Sequence, residues 1–305
     1  MIIMDTNALT KQYGTQVVVN KLNMNVKKGE IYALLGRNGA GKTTTLRMIM
    51  GLLKPTSGEV RIFGKKLNTN NSKVFQRIGA LIEAPSFYEN LTAQENLELI
   101  ASLRGIHNEN AINNSLILVG LESENKKKVE KFSLGMKQRL GIALALMHEP
   151  ELIILDEPTN GLDPIGIQQI RVLIRDLCNQ KNTTFLISSH ILSEVEQLAD
   201  RIGIIEKGNL LEETYMDDIR KYNRHYVKMA VSNAMQTIPI LESKLGIFDF
   251  EIEDDNTLKI YEIERDMAEV NRVLNNASIG VSEISMNKGN LEEYFIRVTG
   301  GHTIG

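Results

Sequence analysis

Short, fully apolar runs alternate with helically spaced apolar positions along the first two thirds of the chain. Residues 16–35 read as strand-like stretches, QVVVNKLNMNV and IYALL, around the polar turn Lys27-Lys28-Gly29-Glu30, with a buried strand predicted over Ile31–Leu35. From Thr43 to Leu53 the apolar residues Leu46, Ile49, Met50 and Leu53 share one face, which predicts a helix. Lys54-Pro55-Thr56-Ser57-Gly58 stops it, and a strand is expected over Glu59–Phe63. Thr92 and Glu95 have capping-box spacing, so a helix should open there and end near Gly105. Residues 106–131 are polar and rich in Lys and Glu, predicting solvated helices and loops. Ser133–His148 follows as a helix with Leu140, Leu144 and Met147 in phase. Leu152–Leu155 and Thr184–Ser188 are short apolar strands of the buried parallel kind, separated by a helix over Ile165–Cys178. A short helix over Ser193–Ala199, a strand over Arg201–Glu206 and the turn Lys207-Gly208-Asn209 complete an alternation that implies an α/β core with a mainly parallel sheet.

After about Glu212 the rhythm changes. Strands are predicted over Tyr226–Val231, Phe248–Glu253, Leu258–Tyr261 and Gly280–Met286, and helices over Met235–Leu245, Asp266–Asn275 and Leu291–Val298. The β-α-β-β-α-β order suits a small ferredoxin-like unit. The expected domains are therefore residues 1–212, with a helical subdomain at about 75–150, and an accessory α+β domain over residues 213–305.

Composition narrows the class. With 305 residues, 42% hydrophobic and 24% charged, the chain has the balance of an ordinary globular protein. No apolar run approaches the ~18 residues needed to cross a bilayer, and the N-terminus MIIMDTNALTK lacks the pattern of a secretory signal. The single cysteine, Cys178, excludes an internal disulfide, fits a reducing compartment and reads as a small apolar residue on a helix. A cytosolic protein is expected, one that meets a membrane only through a partner. The net charge of −3 is unevenly spread: residues 213–305 carry 10 Lys and Arg against 16 Asp and Glu. That acidic balance argues against nucleic-acid binding, so no nucleic-acid partner is expected.

Residues 36–43, GRNGAGKT, match G-x-x-x-x-G-K-[ST] between a predicted strand and a predicted helix, the context this motif requires. Gly36, Gly39 and Gly41 let the backbone curl so that the amides of Arg37, Asn38, Ala40 and their neighbours converge on phosphate oxygens. Lys42 should reach the β- and γ-phosphates and the Thr43 hydroxyl should ligate Mg²⁺, with Thr44 in the same helix start. The run LIILDEP ends an apolar strand in adjacent carboxylates at the edge where α/β ligands bind. Asp156 is the candidate Mg²⁺ holder, and Glu157 the candidate base for the water that attacks the γ-phosphate. His190, after the strand FLISS, is placed to touch the γ-phosphate while organising Glu157. The other histidines, His107, His148, His225 and His302, read as structural.

Tyr13, GRNGAGKT, FSLGMKQR (Phe132–Arg139), LIILDEP, GLDP (Gly161–Pro164) and SSH (Ser188–His190), in that order, resemble the ABC-transporter ATPases. The resemblance implies a P-loop α/β core with a helical subdomain, ATP and Mg²⁺ as cofactors, and stacking of Tyr13 on adenine. It also implies that Ser133 and Gly135 close on the γ-phosphate held by a second copy, with Asp163 at the dimer interface. The active unit is then a homodimer with two composite sites. SLGMKQ alone reads as an ordinary capped helix start, although Ser133 at a helix N-terminus does offer a hydroxyl and a positive dipole end to an anion.

Two stretches depart from the family pattern. Leu134 and Met136 replace a glycine and a glutamine of the usual signature, Leu-Ser-Gly-Gly-Gln. Within Ile78–Pro85, IGALIEAP, Glu83 stands where the family places a glutamine that senses Mg²⁺ and contacts the membrane subunit. A carboxylate there still accepts from metal-bound water, but it repels the γ-phosphate. Glu83, SLGMKQR and the ending LEEYFIRVTGG resemble one branch, the ATPases of bacitracin-resistance and lantibiotic-immunity exporters. That branch implies separately encoded membrane-spanning permeases and a place on the cytoplasmic face of the cell membrane. The alternatives are a motor exporting another drug or a lipid, and a non-transport ABC ATPase. A translation factor would need two cassettes in tandem, and a chromosome-maintenance ATPase a long coiled coil between loop and signature. A sensor without turnover would need to have lost Glu157.

Overall fold

Ile31–Leu35 and Leu152–Asp156 are buried at every position, as short apolar strands must be when both faces of a sheet are covered. The computed structural model describes residues 1–67, 72–83, 86–106, 108–222, 225–288 and 290–300. Its first unit comprises Met1–Met216 and the segment from Phe295, and its second comprises Asp217–Tyr294.

In chain order the first unit opens with β1 (Ile2–Tyr13), β2 (Gln16–Leu22), β3 (Asn25–Lys27), β4 (Ile31–Leu35), α1 (Lys42–Ile49), β5 (Ser57–Ile62), β6 (Lys65–Lys66), α2 (Ser72–Phe75) and β7 (Ile78–Leu81). It continues with α3 (Ala93–Arg104), α4 (Glu109–Leu118), α5 (Leu134–Leu146), β8 (Leu152–Asp156), α6 (Pro164–Lys181), β9 (Thr184–Ser189), α7 (Leu192–Leu198), β10 (Arg201–Glu206) and β11 (Asn209–Tyr215). The central sheet has the order β11-β10-β4-β9-β8-β7 and is parallel except for its edge strand β11. An antiparallel sheet runs β2-β1-β5-β6, with β3 also paired to β1. Helix α1 packs between the two, its Leu46, Met48 and Ile49 in one core with Met4, Leu9 and Ile62 of the antiparallel sheet and Leu34 and Ile154 of the central one.

The capping box at Thr92 is present, with Thr92 Oγ1 accepting from Glu95 N and Glu95 accepting from Thr92 N. Helix α3 ends at Gly105 in the left-handed conformation. Helix α1 is shorter than its apolar spacing suggests. Gly51 turns left-handed (φ 68°), and the amides of Leu52 and Leu53 fold back on the Arg47 carbonyl. A domain boundary at residue 212 would cut β11, which pairs with β10 as far as Tyr215, so the division falls after Met216. The span 75–150 is likewise not all helical, because β7 pairs with β8 inside the central sheet.

Cys178 is buried, its Sγ donates to the Gly29 carbonyl, and burial pushes the thiol pKa up. His148 is held at 3.0 Å from the Ile78 carbonyl, and burial lowers its pKa. His225 is the exposed first residue of a strand. His107 and His302 lie outside the described residues, as do Ala84, Pro85 and Gly301 of the motifs quoted above. Among the described residues no helix is long and apolar enough to cross a membrane.

Helix α8 (Met216–Tyr222) leads into the second unit, which contains β12 (His225–Val231), α9 (Ala234–Leu245), β13 (Phe250–Asp254), β14 (Thr257–Ile260), α10 (Met267–Asn276) and β15 (Val281–Lys288). Helix α11 (Leu291–Val298) follows. The strands form one antiparallel sheet of order β13-β14-β12-β15. Val227, Met229, Leu258 and Ile260 on one of its faces pack with Leu241 of α9 and Val270 and Leu274 of α10.

Candidate functional site

The strand register brings four loops to one edge of the central sheet. Leu35 pairs with Ser189, Ser188 with Asp156, and Leu155 with Leu81. The chain leaves each strand there, at the carboxyl ends of parallel strands, where α/β folds bind ligands. The glycine loop leaves β4, Glu157 follows β8, His190 follows β9, and Glu83 stands two residues beyond β7.

In the glycine loop, absent side chains have steric reasons. A Cβ on Gly36 would stand 2.3 Å from the Ile205 carbonyl oxygen. Gly41 sits at φ 107°, where a Cβ would stand 2.8 Å from the Val18 carbonyl. The loop is tied down by Gly36 N to the Ser189 carbonyl at 3.2 Å, Ala40 N to the Arg37 carbonyl at 3.1 Å and Gly208 N to the Ala40 carbonyl at 2.9 Å. Lys42 opens α1 with its side chain only 5% exposed. Its ammonium has three N–H donors and three acceptors in reach: the Gly36 carbonyl at 2.7 Å, the Arg37 carbonyl at 3.1 Å and Glu157 Oε1 at 3.2 Å.

Asp156 is the buried last residue of β8, and Glu157 turns out of the strand in the left-handed region at φ 48°. A non-glycine residue seldom adopts that conformation, and such strain concentrates at functional sites. Ser188 ties the two carboxylates together. Its hydroxyl donates to Asp156 Oδ1 and accepts from Glu157 N, while its carbonyl accepts from the same amide at 3.2 Å. His190 Nδ1 stands 2.5 Å from Glu157 Oε2 without the alignment of a hydrogen bond. Glu157 thus pairs with Lys42 through one oxygen and has His190 against the other.

One cavity of about 390 Å³ gathers Asn38, Thr43, Glu83, Asp156, Glu157 and His190. Leu134, Gln138 and Asn160 complete its wall; the first two belong to the quoted stretch FSLGMKQR, and Asn160 was not named from sequence. Thr43 and Asp156 offer hard oxygens of the kind Mg²⁺ prefers, and the donor set fits that ion. Glu83 lines the same cavity, but its carboxylate is paired with Arg47 of α1. Tyr13, Ser133, Gly135 and Asp163 do not line it. Tyr13 ends β1, half exposed, with the Lys11 ammonium 4.9 Å from its ring centre. Ser133 caps α5 by accepting from Met136 N, and Asp163 caps α6 by accepting from Gly166 N at 2.9 Å. The Gly161-Leu162 turn lies against the start of α5: a Cβ on Gly161 would meet the Leu134 side chain at 2.9 Å.

Ser188 and Arg47 are the partners that sequence reasoning missed. Ser188 lies inside the quoted SSH motif, but only strand register shows that it faces Asp156. Arg47 stands one helical turn after Thr43, a spacing that puts both on one side of α1. Because the Ser188 hydroxyl supports the Glu157 turn and also donates to the Asp156 carboxylate, Ser188→Ala should lower kcat at this site about tenfold, the worth of a hydrogen bond to a charged group. KM should stay nearly constant, since the lost contact touches no substrate. Steady-state kinetics decides it, and an unchanged kcat removes Ser188 from the arrangement.

A family model described as ABC transporter matches residues 19–160. Over 303 residues, 99% of each chain, the sequence is 51% identical to the bacitracin transport ATP-binding protein BcrA of Bacillus licheniformis. It is 46% identical over 209 residues, 68% of this chain and 89% of the other, to the lantibiotic transport ATP-binding protein SrtF of Streptococcus pyogenes. Among solved structures, a dimeric ATP-binding cassette in a post-hydrolysis state bound to ADP and Pi aligns with a TM-score of 0.63 at 27% identity. That alignment covers 70% of this chain and 99% of that one.

Proposed function

The chain belongs to the ABC transporter ATP-binding family, and from that premise we propose that it powers export of peptide antibiotics of the bacitracin or lantibiotic type. It is an ATPase that binds ATP. The observation that carries the choice of cargo is the 51% identity to a bacitracin transport protein over 99% of the chain, the second unit included. Glu83 in the cavity wall agrees with that branch.

In this reading the loop amides and Lys42 hold the triphosphate, with Lys42 exchanging part of its present set of acceptors for phosphate oxygens. Thr43 and Asp156 would hold Mg²⁺, which when bound offsets charge on the β- and γ-phosphates. Glu157 takes a proton from the attacking water, and His190 keeps that carboxylate aimed. Two copies close so that Ser133 and Gly135 of each cap the γ-phosphate of the other, and Asp163 sits at that interface. The dimeric state of the solved cassette it resembles supports the pairing of two copies. Separately encoded membrane-spanning permeases supply the path, and the chain works from the cytoplasmic face of the cell membrane. The second unit is an accessory domain, built in the ferredoxin-like pattern.

The test is survival of a sensitive host expressing the chain with its neighbouring genes, challenged with bacitracin, lantibiotics and an unrelated drug. Protection is expected against the peptides, and it should vanish with Lys42→Ala. Equal survival in both strains, or protection only against the unrelated drug, removes the peptide reading.

A further inference from the structure

The ion pair between Arg47 of α1 and Glu83 beyond β7 links the helix that starts at the phosphate loop to a carboxylate in the cavity wall. As a contributor to stability the pair has little value, because both side chains are largely exposed, at 42% and 62%. Its position gives it another use. The cavity already gathers Asp156 and Glu157 with Glu83, and Lys42, whose ammonium reaches Glu157, is engaged with three acceptors. A triphosphate entering there adds further negative charge. The Glu83 backbone turns left-handed at φ 68°, a conformation a non-glycine residue seldom adopts. Thr43 lines the cavity from the same side of α1 that carries Arg47 one turn on.

We propose that Arg47 is a positioning residue that makes a carboxylate at position 83 compatible with ATP, by holding the Glu83 side chain and offsetting its charge. The inference rests on the cavity being the ATP site. Arg47 acts on the nucleotide through Glu83, so its worth depends on which residue stands at 83. With Glu83 present, removing Arg47 leaves an unbalanced anion facing the γ-phosphate. With a neutral amide at 83, the same removal leaves nothing unbalanced.

The experiment is a double-mutant cycle on the full chain, with binding of ATP and of ADP measured by calorimetry in EDTA so that no turnover intervenes. Arg47→Gln is expected to weaken ATP binding about tenfold and ADP binding much less, because ADP lacks the γ-phosphate. In the Glu83→Gln background, Arg47→Gln should change ATP affinity by less than about twofold. Arg47→Lys, which keeps the charge, should restore most of the loss. Thermal melting of each variant separates these effects from unfolding. Equal losses in both backgrounds, equal losses for ATP and ADP, or no loss at all overturns the role of Arg47. Wild-type protein that binds neither nucleotide overturns the site reading and this inference together.

Discussion

Glu157→Gln is expected to bind ATP as tightly as the wild type, to hydrolyse it about 10³-fold more slowly, and to accumulate as an ATP-dependent dimer. The magnitude is that of losing a positioned general base. The structure explains why binding should survive. The amide is nearly isosteric, and the backbone at φ 48° is held by Ser188 through the main-chain amide, whatever the side chain's charge. Single-turnover hydrolysis and light scattering after gel filtration read the two effects separately. Full turnover in the variant would remove Glu157 from its assigned role.

Lys42→Ala should abolish ATP binding at millimolar nucleotide and also destabilise the protein, which a surface phosphate anchor would not do. Its side chain is 5% exposed, and its loss leaves one oxygen of Glu157, which is 17% exposed, without its cation, together with two loop carbonyls. Removing one partner of a buried pair typically costs about 3 kcal/mol. Adding Glu157→Gln to Lys42→Ala should recover more than half of that stability while activity stays absent, because the stranded charge is gone but the anchor is still missing. Urea unfolding of the four proteins supplies the numbers. A stability loss that Glu157→Gln leaves untouched would place its origin in the loop carbonyls.

The site was legible where chemistry is written contiguously. GRNGAGKT, Asp156-Glu157 and His190 each follow an apolar strand, and parallel pairing brings their ends to one edge. The α3 capping box was legible for the same reason, since both partners lie within four residues. The missing contacts were those set by register and by packing across the sheet. Ser188 meets Asp156 only because β8 and β9 pair in one particular phase, and Arg47 meets Glu83 across 36 residues of sequence. Strand β1 escaped notice because irregular pairing around Leu9, Lys11 and Gln12 interrupts its alternation. Strand β7 is only four residues long, too short to announce itself by period. Glu83 was recognised as a departure from the family, but its partner could not be, since no local spacing connects it to α1.

The buried Cys178 has a practical value outside catalysis. It is the chain's one cysteine, it is 5% exposed, and its thiol pKa is raised, so it reacts poorly with maleimides and methanethiosulfonates. A cysteine introduced at exposed Ser123, outside the site, would therefore take up a spin label or fluorophore almost alone, with no native cysteine first removed. Distances between two such labels, recorded with and without ATP, would report the approach of two copies directly.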